Sequence, residues 1–256
     1  MTDPTQRFTG RVESYVKYRP SYPRAVLYLL AAECNLTSGS VVADVGSGTG
    51  ILSSLFLDNG NRVFGVEPNP EMRTTAEDLL GDHPRFTSVA GTAEATTLES
   101  GSVDFVVAGQ AFHWFDPGRS RTEFARILRP GGWVALMWNL RRKDATPFHA
   151  AYERLLLAHG TDYTEVGRHE GGARMVQDFF CSDTFETRTF DNRQTFDLDG
   201  LKGRLSSSSY VPGPDQPGHE AMMREAERTF RAHETDGKVT FEYDTKVYYG
   251  RFRAKG

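Results

Sequence analysis

Residues 41–50 read VVADVGSGTG, and this stretch decides the fold. A mostly apolar, β-branched run (Val41–Val45) leads directly into three glycines, and an amphipathic run follows at Ile51–Phe56. The pattern predicts a buried strand, a turn without side chains, and the start of a helix. Glycines at such a turn let a ligand lie against the backbone N–H groups of a helix N-terminus.

An acidic residue follows the next strand signal. The run Arg62–Val66 predicts a second strand that delivers Glu67 to the same edge of the sheet. A carboxylate there can accept hydrogen bonds from both hydroxyls of an adenosine ribose. The two segments together predict that the chain binds a cofactor that contains a nucleoside. Dinucleotide-binding proteins use G-x-G-x-x-G, whereas this turn is Gly46-x-Gly48-x-Gly50 with Asp44 before it.

Composition narrows the class of protein. The chain has 256 residues, a net charge of −4 and 38% hydrophobic residues, which is typical of a soluble globular domain. The acidic balance argues against nucleic acid as a partner, and no apolar run is long enough to span a membrane. Two cysteines and seven histidines show no metal-ligand spacing, so we expect no metal.

The N-terminus has no apolar segment typical of a signal peptide, and we expect a cytoplasmic protein. The oligomeric state is left open.

Strand and helix signals alternate along the chain. Strands are predicted at Val41–Val45, Arg62–Val66, Phe86–Ala90, Val103–Ala108 and Trp133–Trp138, with helices near 50–59, 70–80 and 117–128 between them. Asn69 and Asp116, each followed by proline, are typical helix N-caps. This alternation predicts a parallel sheet with helices on both faces. We expect one domain, 1–256, with N-terminal cap helices at 1–36, the second of them starting at Pro23, and an insertion or lid at 140–182. Strands at Phe185–Phe196 and 239–249 are predicted to pair antiparallel at the sheet edge, with helices at 147–159, 198–205 and about 219–235.

Five short motifs occur in a recognisable order. They are Asp44–Gly50, Gly65–Met72, Gly91–Glu94, Ala108–Phe115 and Leu128–Gly132. In this order they resemble class I S-adenosylmethionine (SAM) methyltransferases, in the small-molecule branch known as methyltransferase type 11. That branch includes enzymes similar to trans-aconitate and juvenile-hormone-acid methyltransferases. The resemblance implies an α/β fold with a Rossmann-like, seven-stranded, mostly parallel sheet, an antiparallel last strand and a helical cap.

The same resemblance implies a set of cofactor-binding residues. SAM would contact the glycine loop through its methionine end, Glu67 through its ribose, and the residues after the third strand through its adenine edge. An arginine in the N-terminal segment would pair with the SAM carboxylate. The residues implied are Arg19, Asp44, Gly46, Ser47, Gly48, Glu67, Pro68, Met72, Ala93, Glu94 and Gln110. Met72 packs either on the adenine or only in the core, and Glu94 stands where the family often has Asp. The product would be S-adenosylhomocysteine.

His113 and Trp114 are the candidate catalytic residues. They follow the fourth strand, at the carboxyl edge where open α/β sheets bind ligands. Methyl transfer is an in-line displacement that needs alignment and exclusion of water. A base is needed only if the acceptor is protonated, so His113 is a base, an orienting hydrogen-bond partner or a packing partner of Trp114. The candidate substrate-binding residues are Tyr15, Tyr18, His113, Trp114, Asn139 and Tyr210.

Three consecutive cations follow soon after Asn139. Arg141, Arg142 and Lys143 are interpreted as a solvated charge cluster, because charge runs usually face water. The alternative is that they attract an anionic substrate.

The predicted function is SAM-dependent methyl transfer to a small organic acceptor at oxygen, with a carboxylate suggested by the resemblance alone. One alternative is a SAM-binding protein with a non-methylating or regulatory role. A nicotinamide-dependent oxidoreductase is disfavoured by the glycine spacing. A nucleic-acid methyltransferase is disfavoured because Gln110-Ala111-Phe112-His113 replaces the N-P-P-aromatic turn used for extruded bases.

Overall fold

A computed structural model describes residues 16–161, 163, 172–180 and 185–252. Its centre is a seven-stranded sheet with the order β3-β2-β1-β4-β5-β7-β6. The strands are β1 (Val41–Val45), β2 (Arg62–Val66), β3 (Phe86–Val89), β4 (Val103–Gly109), β5 (Leu128–Arg141), β6 (Phe185–Phe196) and β7 (Val239–Gly250). Strands β1 to β5 are parallel, and β7 runs antiparallel to both β5 and β6. The predicted fold class is confirmed.

Eight helices surround this sheet in the part of the chain that is described. They are α1 (Ala25–Cys34), α2 (Ile51–Asp58), α3 (Pro70–Leu80), α4 (Pro117–Ile127), α5 (Pro147–His159), α6 (Ala173–Phe180), α7 (Leu198–Ser206) and α8 (His219–His233). The predicted caps are present: Asn69 accepts from the N–H of Met72, and Asp116 accepts from the N–H of Gly118. Such a cap stabilises a helix by about 1 kcal/mol.

The strand order creates the place where a ligand can bind. The chain runs outward from β1 through β2 to β3, then returns to place β4 on the other side of β1. The loops after β1 and β4 therefore diverge and leave a crevice at the carboxyl ends of these strands. The glycine loop at 46–50 and the turn at 110–115 border this crevice.

The core lies on both faces of the sheet. One face packs α1 and α2 against strand residues such as Val42, Val107 and Val247. The other face packs α4 and α6, through Phe124 and Phe179, against the alternate residues of the same strands. Alternation of side chains along each strand produces these two layers.

A third apolar cluster joins the helices at the end of the sheet that carries β6 and β7. Helices α5, α7 and α8 pack together there through Leu156, Leu205 and Met222, against Phe241 of β7. This cluster fixes one wall of the ligand-binding edge, because α7 leads directly into the segment that carries Tyr210.

The structure corrects two expected boundaries and one expected packing arrangement. Helix α1 begins at Ala25 rather than Pro23, and it belongs to the main core rather than to a cap: Val26 and Leu30 are fully buried against the sheet. Strand β5 starts at Leu128, five residues before the predicted start, and its pairing with β4 breaks between Val103 and Phe105.

The insertion predicted at 140–182 is divided in the structure. Its first two residues continue β5, which ends at Arg141. Of its helices, α5 joins the cluster with α7 and α8, whereas α6 packs on the opposite side with α4. Each helix follows its own apolar face, so the two do not form one lid.

Candidate functional site

The glycine loop after β1 has the backbone that its sequence demands. Gly46, Gly48 and Gly50 have φ values of 68°, 57° and 86°, in the left-handed region that favours glycine. The N–H groups of Gly46 and Ser47 donate to the carbonyl of Val66, at 2.8 and 3.1 Å. The loop is therefore tied to the end of β2, and these two amides do not point to a ligand as expected from the sequence. The glycines instead keep side chains out of the crevice.

Glu67 is held at the end of β2 by the backbone. Its Oε2 accepts from the N–H of Gly48 at 2.9 Å, and its Oε1 accepts from the N–H of Asn69 at 2.8 Å. Burial raises the pKa of Glu67, while the hydrogen bonds from Asn69 and Gly48 oppose that shift. A carboxylate offers about four acceptor sites, so each oxygen keeps a position for a further donor. Glu67 can therefore accept from two hydroxyl groups of a ligand.

A cavity of about 200 Å³ opens in front of Glu67, and we call it the Glu67 cavity. Its walls are mostly apolar or backbone, and its polar groups lie at the edges. It is lined by Gly46, Gly48, Glu67, Pro68, Asn69, Met72, Thr92, Ala93, Glu94, Gly109, Gln110, Ala111, Trp114 and Phe115. The structure thus brings together the predicted residues Glu67, Pro68, Met72, Ala93 and Glu94. Their roles as ligand contacts stay predictions.

A second space, the glycine cleft, lies on the other side of the loop. Its lining joins the loop to the N-terminal segment and to the residues after α7: Arg19, Pro20, Tyr22, Asp44, Gly46, Ser47, Gly48, Thr49, Ile51, Leu52, Gly109, Gln110, His113, Trp114, Ser209 and Tyr210. Gly46, Gly48, Gly109, Gln110 and Trp114 line both spaces. One ligand can therefore extend from the Glu67 cavity into the glycine cleft.

Asp44 is a fully buried carboxyl at the bottom of the glycine cleft. Its Oδ2 accepts from the hydroxyl of Ser53 at 2.7 Å, and its Oδ1 has no partner among the described residues. Burial raises the pKa of Asp44 to about 7; the Ser53 hydrogen bond opposes the shift and the Glu67 carboxylate adds to it. Two buried carboxyls near one another favour a ligand that brings positive charge.

His113 and Trp114 lie on a short 3₁₀ helix, Phe112–Trp114, that follows β4. Phe112 is buried and anchors this turn against Phe179, while the two following rings face the crevice. The rings of His113 and Trp114 lie 4.6 Å apart between centroids. Trp114 is 37% exposed and lines both spaces, whereas His113 lines the glycine cleft. Both rings line the crevice beside the glycine loop.

Gln110 occupies the centre of the site. Its φ of 56° is in the left-handed region, which is uncommon for a residue other than glycine. Its Nε2 donates to the carbonyl of Asn139 at 3.2 Å, which ties the end of β4 to β5. Gln110 lines the Glu67 cavity, the glycine cleft and a third cavity. Strained backbone at such a junction is typical of functional sites.

The third cavity, the arginine chamber, has a volume of about 210 Å³. It is lined by Arg19, Pro20, Gln110, Asn139, Leu140, Arg141, Lys143, Tyr163, Arg204, Tyr210 and Tyr243. It shares Arg19, Pro20, Gln110 and Tyr210 with the glycine cleft. The predicted substrate residues Asn139 and Tyr210 therefore lie at or near the boundary of these two spaces.

Asn139 holds the N-terminal segment in place. Its Nδ2 donates to the carbonyls of Pro20 and Ser21, at 3.4 and 3.3 Å, and its Oδ1 accepts from the hydroxyl of Thr245. The amide thus fixes the residues beside Arg19, whose Nη2 donates to the carbonyl of Ser207 at 2.8 Å. These bonds close the N-terminal segment over the crevice.

Tyr18 is a predicted substrate residue that the structure does not place at a cavity. Tyr18 packs against Gly203 of α7, where a side chain would collide with its ring, and against Phe196. It is not among the residues that line the three spaces described above. Tyr15 lies outside the described residues.

The charge cluster at 141–143 is only partly solvated. Arg142 pairs with Asp191, Glu242 and Asp244, and Lys143 pairs with Glu153 while its own side chain is 55% exposed. Arg141 instead is 9% exposed and lines the arginine chamber. The solvated interpretation is therefore wrong for Arg141.

The residue that sequence reasoning missed is Arg204. It lies on α7, is 5% exposed and lines the arginine chamber. Its neighbours Gly203 and Leu205 give no sign that it points inward, because only the packing of α7 against β7 decides that. Among the described residues, no group of three potential metal ligands occurs, and no helix has the length and apolar character needed to cross a membrane.

The sheet order, with the glycine loop after β1 and the acid after β2, defines a Rossmann-like fold. A model described as a methyltransferase domain matches residues 43–136. An uncharacterized methyltransferase of Schizosaccharomyces pombe is 32% identical over 246 residues, which cover 94% of this chain and 95% of that relative. The chain belongs to this methyltransferase family.

Two further similarities agree with this assignment. An uncharacterized methyltransferase of Mycobacterium tuberculosis is 41% identical over 140 residues, so the match spans about half, 54%, of each chain. The solved structure of a proposed type II methyltransferase from Anaeromyxobacter dehalogenans has a TM-score of 0.67 and 25% identity, over 91% of this chain and 98% of that one.

Proposed function

We propose that this chain is a SAM-dependent methyltransferase that transfers a methyl group to an oxygen atom of a small organic acceptor. The observation that carries this proposal is the environment of Glu67. Glu67 is a buried carboxylate with one backbone amide on each oxygen, and it faces a cavity that continues past the glycine loop. Family membership supports the type of reaction.

The residues of the site fit SAM part by part. Glu67 would accept from the ribose hydroxyls, and Met72 and Ala93 would provide apolar surface for the adenine. Asp44 and Arg19, at the glycine cleft, would bind the amino and carboxylate groups of the methionine end. Substitution of Gly46 would fill the crevice, because a Cβ there would meet Ala111 at 2.6 Å.

The reaction needs little from the protein beyond alignment. SAM, when bound, supplies an electrophilic methyl group and leaves as S-adenosylhomocysteine. The chain positions the acceptor oxygen in line with that group and excludes water. Trp114 covers the junction of the two spaces, and His113 would orient the acceptor or take its proton if the acceptor is protonated at neutral pH. A carboxylate acceptor needs no base, so His113 would then only orient it.

A small molecule is the proposed substrate because the site consists of connected cavities of about 210 Å³ or less, two of which are lined in part by Arg19 and Pro20. The net charge of −4 and the lack of a basic tract in the sequence make nucleic acid a poor candidate. A cytoplasmic location stays a prediction from the sequence.

Titration of the chain with SAM, S-adenosylhomocysteine and NADH by calorimetry tests the proposal. We expect saturable binding of SAM and S-adenosylhomocysteine and none of NADH. Binding of NADH alone would show an oxidoreductase instead. A protein that binds SAM and never methylates any acceptor would have the alternative, non-methylating role.

A further inference from the structure

Arg204 is a buried cation that has no acidic partner among the described residues. Its Nε donates to the hydroxyl of Tyr243 at 3.4 Å, and its Nη1 donates to the hydroxyl of Ser208 at 3.1 Å. Both partners are hydroxyl groups and neither is a carboxylate. No carboxylate of the described residues lies within ion-pair distance of this guanidinium, although it is only 5% exposed. These hydrogen bonds fix its orientation but supply no negative charge from the described residues.

Arg141 adds a second cation to the same chamber. Its Nη2 donates to Glu153 and, at 3.0 Å, to the hydroxyl of Tyr163. Its Nη1 is buried and has no hydrogen-bond partner among the described residues. Glu153 is shared with Lys143 and with the hydroxyl of Tyr163. One carboxylate thus serves two cations, and the Nη1 of Arg141 remains available.

The balance of charge at the chamber is positive. Its described lining contains Arg19, Arg141, Lys143 and Arg204 but no Asp or Glu. A buried charge without a counter-ion is destabilising, and an Arg cannot lose its proton to avoid that penalty. An anion in the chamber would remove the penalty. The hydroxyls of Tyr163 and Tyr243 already donate to Glu153 and Gln194, so the donors left for an anion are those of the arginines.

The chamber and the glycine cleft are adjacent and are lined by different residues. Four residues line both, among them Gln110 and Tyr210, so a ligand can extend from one to the other. His113 and Trp114 line the cleft and not the chamber, whereas Arg141 and Arg204 line the chamber and not the cleft. A ligand group at the two arginines would therefore be separate from an atom beside His113 and Trp114.

We propose that the acceptor is bifunctional: an oxyanionic group binds Arg141 and Arg204 in the arginine chamber, while a separate nucleophilic oxygen reaches past Gln110 to His113. This inference rests on the proposed methyltransferase function. The oxyanion is a carboxylate or a phosphate, both of which match the planar fork of a guanidinium.

Binding of small anions tests this proposal without knowledge of the acceptor. Succinate, inorganic phosphate and neutral succinamide are titrated into the full chain at constant ionic strength, with saturating S-adenosylhomocysteine. The variants are Arg204→Gln, Arg141→Gln and the matched control Arg142→Gln, whose guanidinium pairs with Asp244 outside the chamber. Loss of one charge-assisted contact should weaken anion binding about tenfold or more.

We expect succinate or phosphate to bind the wild type. Both chamber variants should bind that anion at least about tenfold more weakly. The control Arg142→Gln should change the affinity for the anion by less than about twofold. Binding of phosphate alone indicates a phosphorylated acceptor, and binding of succinate alone indicates a carboxylic acid. If Arg204→Gln does not fold, Arg204→Lys keeps the charge, loses the fork and should show a smaller loss.

Two outcomes overturn the inference. One is that neither anion binds the wild type. The other is a failed control: succinamide binds as tightly as succinate, or Arg142→Gln weakens anion binding as much as the chamber variants do. SAM affinity, measured in parallel, separates the two claims. Normal SAM binding without anion binding removes the chamber proposal alone, whereas failure of SAM to bind removes the proposed function.

Discussion

Replacement of Asp44 by asparagine should make the empty protein more stable above neutral pH. The carboxyl is fully buried, its Oδ1 has no partner among the described residues, and burial raises its pKa from 3.8 to about 7. The oxygen of the introduced amide could still accept the hydrogen bond from Ser53. The substitution therefore removes a buried charge at little structural cost.

The size of the effect follows from the shift in pKa. A change from 3.8 to about 7 corresponds to roughly 4 kcal/mol, at about 1.4 kcal/mol per pKa unit. Between these values the folded protein holds a proton that the unfolded chain has lost, so stability falls as pH rises through this window. Above about 7 both states are ionised and the penalty is complete. The new amide N–H group lacks an acceptor, which costs about 1 kcal/mol and leaves a net gain of roughly 3 kcal/mol.

Urea unfolding at about pH 5, 6, 7 and 8 measures this gain. The difference in unfolding free energy between Asp44→Asn and wild type should increase with pH and level off near the top of this range. The control Asp58→Asn removes an exposed carboxylate at the end of α2 and should show no such trend. A difference that is independent of pH, or a variant less stable than wild type at the highest pH, would refute the argument.

Three further outcomes are expected. Glu67→Gln should weaken SAM binding about tenfold, measured by calorimetry, whereas the exposed control Asp78→Asn should not; equal affinities would exclude Glu67 from the ribose contact. His113→Ala should lower turnover far more than SAM affinity in a methylation assay with any acid that binds the chamber, and unchanged turnover would remove it from the mechanism. Gly203→Ala should lower stability by about 1–3 kcal/mol in urea unfolding, because its Cβ would collide with the tyrosine ring from the N-terminal segment. The control Gly118→Ala, in the open first turn of α4, should be neutral or stabilising. Equal unfolding free energies for Gly203→Ala and Gly118→Ala would contradict the packing argument.

Local signals predict most of the fold. Strands β1, β2 and β6 have the predicted ends, because each is an apolar or alternating run bounded by turn residues. Helix α4 starts where Asp116 and Pro117 predict it. The motif Leu128–Gly132 precedes the predicted start of the fifth strand, and in the structure these residues lie where the register of β5 against β4 breaks. Pairing of Leu128 with Val103 depends on a distant strand, which no local pattern reveals.

The position of a candidate site residue is predictable where that residue directly follows a strand. Loop glycines, Glu67 and His113 occupy fixed positions in the chain relative to β1, β2 and β4. Arg141 has a usable signal: it follows Asn139 by two residues in β5, and alternation along a strand places such residues on the same side. Arg204 has none, since a single arginine in a short amphipathic helix normally faces water.

A crystal structure of the chain with S-adenosylhomocysteine tests the central claim most directly. The account predicts the ribose hydroxyls within hydrogen-bond distance of both Glu67 oxygens, the adenine against Met72 and Ala93, and the sulfur near Trp114 and His113. The arginine chamber should remain open beside it. A ribose that does not contact Glu67, or a ligand bound outside the Glu67 cavity and the glycine cleft, would contradict the account.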